Sequence, residues 1–183
     1  MKRILQKDAP VLRELAKEVP IETITSPKIQ KIIAEMKEAL LSQDDGVAIA
    51  APQIGYPLRI FVVSHRVAMI VKGGVEKDVI TATTAEPAAT DNVFINPVIK
   101  KLSQEKKSIE EGCLSVRYLY GKVRRSTKAT IEGYDEHGKK FTKGASGLLA
   151  QIFQHETDHL NGILFIDKAK NVEELAPKTA DSH

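Results

Sequence analysis

The sequence has a single cysteine, Cys113, among its 183 residues. No intramolecular disulfide can form, and nothing points to an oxidising compartment. Nor is there an apolar run approaching the length of a membrane-spanning helix. The start, Met1-Lys2-Arg3-Ile4-Leu5-Gln6-Lys7-Asp8, has the positive charge of a signal peptide, but charged residues and Pro10 interrupt it before an apolar stretch develops. A cytoplasmic protein with no membrane association is therefore expected. A strong charge bias is lacking too, since 27 Lys and Arg against 24 Asp and Glu leave +3. The groups Lys100-Lys101, Lys106-Lys107 and Lys122-Val123-Arg124-Arg125 read as solvated faces, and no direct DNA binding is expected. No internal repeat is present.

What is there is an ordinary globular composition, 42% hydrophobic and 28% charged, in a length suited to one domain spanning residues 1–183. Apolar residues at steps of three and four predict a helix from Ile21 to Ser42, with Ser26-Pro27 as cap and first turn. Leu58 to Val63 reads as a buried strand, and Met69–Val71 with Val79–Thr84 as a hairpin around Gly73-Gly74. Thr83 to Thr90 reads as a loop. Short strands are predicted at Val93–Ile95, Val98–Leu102, Ser108–Glu110, Val123–Ser126, Ala129–Gly133 and Lys140–Thr142. A last helix runs from about Ser146 to Asn161, where Asn161-Gly162 stops it. The tail from Asn171 has too little pattern to place. The class expected is α+β, mainly antiparallel sheets around a central metal-binding helix, with an N-terminal helix.

That helix carries His155-Glu156-Thr157-Asp158-His159. Two imidazoles four residues apart share one helical face and can ligate one divalent ion. Glu156 lies about 100° round the helix from His155, near enough to act on a water without being a ligand. A hydrolytic site needs a third protein ligand, and the chain offers His65, His137, His183, Asp158, Asp167, Glu173, Glu174, Asp181 and Cys113. Cys113 is the best candidate, because it sits at a predicted strand end beside Gly112 and a thiolate is a strong ligand for a borderline-soft ion.

Three segments in order resemble the peptide deformylase family: Gly46-Val47-Ala48-Ile49-Ala50-Ala51-Pro52-Gln53-Ile54-Gly55, Glu111-Gly112-Cys113-Leu114-Ser115 and Gln154-His155-Glu156-Thr157-Asp158-His159-Leu160. With Ile4-Leu5-Gln6 and Pro10-Val11-Leu12-Arg13, the likeness spans about residues 1–168. It implies removal of the formyl group from the N-terminal formyl-methionine of nascent polypeptides, with release of formate. It also implies one divalent ion on Cys113, His155 and His159, natively iron(II), which nickel, cobalt or zinc can replace. Glu156 would be general base and then acid, and the Gln53 side-chain amide and Leu114 backbone N–H would stabilise the oxyanion. The methionine pocket would include Val47, Ala48, Ile109, Leu148 and Ile152, with Glu111 beside it and main chain near Val47 and Gly112 pairing with the peptide. Work on nascent chains implies transient docking near the ribosomal exit.

The first segment has Ala48 and Ile49 where the family has glycine and leucine, which predicts a shifted backbone or a tighter pocket. Arg117, after Val116, stands where the family has proline. Two other readings of the same residues are a zincin-type peptidase, with its third ligand beyond the helix, and a non-catalytic binding protein stabilised by metal.

Overall fold

Ile60-Phe61-Val62-Val63 is apolar without alternation because helices cover both faces of the sheet it belongs to. The structure, a computed structural model, describes residues 2–73 and 90–175. In order its elements are α1 (Pro27–Leu41), β1 (Ala48–Ala50), β2 (Ile60–Val63), α2 (Arg66–Gly73), β3 (Asn92–Leu102), β4 (Lys106–Gly112), β5 (Leu119–Ser126), β6 (Lys128–Tyr134), β7 (Lys140–Ser146), α3 (Gly147–Leu160) and β8 (Lys170–Glu174). Five strands form one sheet in the order β1-β2-β3-β6-β7, and three form another in the order β4-β5-β8. Every strand pair is antiparallel. This is the α+β class expected.

Strand alternation divides the core. On one face of the large sheet Ile49, Ile60, Val62, Val93 and Ile95 meet Ile29, Ile32, Ile33, Met36 and Leu40 of α1. On the other, Ala48, Ala50, Phe61, Val63 and Phe94 meet Ala150, Ile152, Phe153 and Leu160 of α3. Phe61 stacks on Phe94 at 4.5 Å, and Phe153 meets Phe94 edge-on at 5.2 Å. A third cluster, Leu12, Val116, Val123, Leu164 and Phe165, joins the N-terminal segment to the small sheet.

Several elements depart from expectation. α1 begins at Pro27 rather than Ile21, because the residue before a proline avoids helical backbone and Ser26 Oγ caps the Ile29 N–H. Ile21–Thr23 is a separate 3-10 turn. Met69–Val71 is helical within α2, not a strand; an apolar run of three cannot distinguish the two. Val79–Thr84 lies outside the described residues. The strands expected at Val93–Ile95 and Val98–Leu102 are one, β3, with an irregularity where Asn96 takes φ of 50°. Its side chain accepts from the Val19 N–H at 2.8 Å and donates to the Val19 C=O at 2.7 Å, which holds the strand through Pro97. Within the unplaced tail, β8 adds an edge to β5.

Candidate metal centre

α3 is held at its middle and at its end. At mid-helix Gln154 accepts from the Ser126 N–H at 3.0 Å and donates to the Ser126 C=O at 2.9 Å. At its end Arg59 donates to the Leu160 C=O and to Asn161 Oδ1. Gly162 follows at φ of 72°, where a Cβ would lie 2.7 Å from the Arg13 carbonyl oxygen. Between these anchors His155 and His159 sit one turn apart, with ring centres separated by 4.9 Å.

Cys113 approaches them from the end of β4. Gly112, opposite Tyr120, leaves room for that ring; a Cβ would come within 2.6 Å of it. Cys113 Sγ lies 3.2 Å from His159 Nε2, and the ligating atoms of Cys113, His155 and His159 all fall within 4.8 Å of one another. The other described candidates stand apart from this group. His65 pairs with Asp91, Asp158 with Arg125 and Lys168, and Asp167 with Arg13, while Glu173 and Glu174 are exposed in β8. His137 is exposed in a turn. Asp181 and His183 lie outside the described residues.

Behind the three donors runs a chain of charge. Glu111 Oε2 lies 3.0 Å from His155 Nδ1, and Arg125 grips the same carboxylate with Nε at 2.8 Å and Nη2 at 2.9 Å. Arg125 Nη1 reaches Asp158 at 2.6 Å, and Lys168 takes the far side of Asp158. Burial alone would raise the Glu111 pKa, but Arg125 and His155 outweigh it and hold it at about 2. Burial opposes charge on His155, yet hydrogen bonds to Cys113 and Glu111 raise its pKa well above the usual imidazole value. Burial, with His155 alongside, lowers that of His159. Burial likewise pushes Glu156 up to about 7, although His155 pulls it down. Glu156 Oε2 and His159 Nδ1 are buried with no hydrogen-bond partner among the described residues. A thiol and two imidazoles, with an ionised carboxylate orienting one ring, fit a divalent ion that keeps one place open.

A cleft of about 330 Å³ opens onto this group. Val47, Ala48, Gln53, Gly112, Leu114, Leu148, Ile152 and Glu156 all line it. Gln53 is buried, its Oε1 accepting from the Ala50 N–H at 2.8 Å and its Nε2 facing Ser115 Oγ at 3.0 Å and Cys113 Sγ at 3.5 Å.

Residues 1–175 match the family model described as polypeptide deformylase. The chain belongs to the peptide deformylase family. It is 39% identical over 170 residues to a peptide deformylase of Carboxydothermus hydrogenoformans, covering 93% of this chain and 94% of that one. Peptide deformylase 1A, chloroplastic, of Solanum lycopersicum is 39% identical over 98% of this chain, which spans 61% of the tomato protein's length. The fold is similar to a peptide deformylase of Acinetobacter baumannii bound to Met-Ala-Ser, with a TM-score of 0.74 and 28% identity over 91% of this chain and 97% of that one. Deformylases are hydrolases that remove the formyl group from nascent polypeptides, and this chain is one of them.

Ile109 does not line the cleft; it lies further back along β4, opposite Val123. Glu111 lines it, but its carboxylate is turned inward to His155 and Arg125. Ala48 takes an extended, not a left-handed, backbone, so the missing glycine causes no strain. The basic group at residues 122–125 is no solvated face throughout, because Arg125 is only 4% exposed. Alternation from Val123, which must face inward, was the available signal for Arg125. Arg125→Met should cost about 3–5 kcal/mol in denaturant unfolding, since it strands the buried Glu111 carboxylate.

Proposed function

We propose that Cys113, His155 and His159 hold one divalent ion, iron(II) in the cell with nickel, cobalt or zinc able to replace it, and that α3 is the metal-binding helix at the centre of one catalytic domain. The observation that carries this is the meeting of the only thiol with both imidazoles beside the buried Glu156 carboxylate, in one cleft. When bound, the ion supplies Lewis acidity, which polarises a carbonyl and makes water nucleophilic near neutral pH.

The rest falls to the chain's own groups. Glu111 takes His155 Nδ1 and so fixes which ring nitrogen faces the ion. The Glu156 carboxylate accepts the proton of the attacking water and delivers it to the leaving amine nitrogen as formate departs. Burial holds its pKa above the ordinary carboxylate range, which favours its taking up a proton. Gln53 Nε2 and the Leu114 N–H stabilise the developing oxyanion. Val47, Ala48, Leu148 and Ile152 receive the methionine side chain, while main chain near Val47 and Gly112 pairs with the peptide. The Met-Ala-Ser complex of the A. baumannii relative supports a peptide occupant.

Purified without oxygen and loaded with iron, the protein should release formate from formyl-Met-Ala-Ser. No release with iron, nickel or cobalt would overturn the reading. The substrates are nascent chains, and the place of action is the cytoplasm, with transient ribosome docking; salt-insensitive or absent cosedimentation with ribosomes would refute the docking. No helix among the described residues is long and apolar enough to cross a membrane.

A further inference from the structure

Gln53 and Leu114 belong to different elements, a 3-10 turn after β1 and a turn after β4, so the backbone alone does not set their separation. Both are tied to residues 5 and 6. The Leu5 N–H donates to the Gln53 C=O at 2.8 Å. Gln6 Nε2 donates to the Leu114 C=O at 3.1 Å, and Gln6 Oε1 accepts from the Arg117 N–H at 3.3 Å. The turn so gripped is closed by the Val116 N–H to the Cys113 C=O at 3.0 Å. Leu114 and Ser115 are its central residues, and the peptide unit between them is the part of such a turn most free to flip.

That unit has two functional ends. Its C=O is the one Gln6 holds, and its N–H, on Ser115, points at Cys113 Sγ at 3.4 Å. A flip would turn the carbonyl toward the thiol and take the Ser115 N–H away from it. Arg117 also lines the cleft, and its guanidinium grips Asp45 at 2.5 and 2.9 Å and Gln43 at 3.1 Å. Gln6 itself is exposed and contributes nothing to the core, so packing does not explain its two long-range hydrogen bonds.

We propose that Leu5-Gln6 is a strap that holds the two sides of the oxyanion pocket together, with Gln6 the positioning residue that locks the Leu114–Ser115 peptide unit and thereby keeps the Ser115 N–H on Cys113 Sγ. This rests on the roles given above to Leu114 and Cys113.

The test compares wild type with Gln6→Ala and Gln6→Glu. The second variant keeps an acceptor for Arg117 but sets a carboxylate against the Leu114 carbonyl. In both, kcat for formyl-Met-Ala-Ser should fall about tenfold, less than the roughly 100-fold for losing an oxyanion donor outright, with KM within twofold. In the cobalt-loaded proteins the thiolate-to-cobalt charge-transfer band should shift, which loss of a merely structural contact would not cause. Unchanged kcat, or reduced kcat with an unshifted band, would overturn the inference. If wild type itself releases no formate, the reading beneath it falls, and the strap's role with it.

Discussion

Glu156→Ala is expected to lower kcat for formyl-Met-Ala-Ser by about 10²- to 10⁴-fold while one ion stays bound per chain. The two outcomes separate because Glu156 faces the cleft but is not among the three clustered donors. The same substitution should leave the melting temperature unchanged or raise it. The side chain is nearly fully buried and Oε2 has no partner among the described residues, so its ionised form is a cost to the fold. Formate release, metal content and a thermal scan on one preparation check all three. Equal release by the variant would remove Glu156 from the role of base, and lost metal would make it a ligand.

Cys113→Ala should abolish stoichiometric metal binding, and formate release with it. A tetrahedral site reduced to two imidazoles loses its softest donor and its only anionic one. A zincin-type peptidase predicts the reverse, since its third ligand lies beyond the helix and would survive the change. The geometry already disfavours that alternative: Asp158 and Asp167 are committed to Arg125 and Arg13, and Glu173 and Glu174 lie exposed on the small sheet. Metal per chain, measured by elemental analysis after dialysis, decides between them. Retention of one equivalent by the variant would sink the assignment of Cys113.

Much of this centre was legible in the residues alone. The i, i+4 histidines need only helical geometry to converge, and the helix that carries them is marked by its apolar spacing and its Asn161-Gly162 stop. The joining of Cys113 to them was not a matter of spacing; it came through the resemblance and through thiolate chemistry. What stayed hidden was whatever depends on long-range partners. Arg125 sits in a run of cations and is buried only because two carboxylates from other elements meet it. Glu111 lines the cleft, but the inward turn of its carboxylate is set by His155 and Arg125, which come from other elements. β3 looks like two strands because Asn96-Pro97 normally interrupts pairing, and it continues only because Asn96 bonds both main-chain groups of Val19. β8 has no pattern of its own and exists as an edge on β5.

The placement of the donors has one more consequence. Cys113 follows the last residue of β4 in the small sheet, whereas both histidines ride on a helix packed against the large one. An ion held by all three would fasten the two layers across their seam and link its occupancy to folding. At free metal 100 times its dissociation constant the folded state gains about 2.7 kcal/mol. Such an ion would serve the protein twice, as reagent in the cleft and as rivet between the layers.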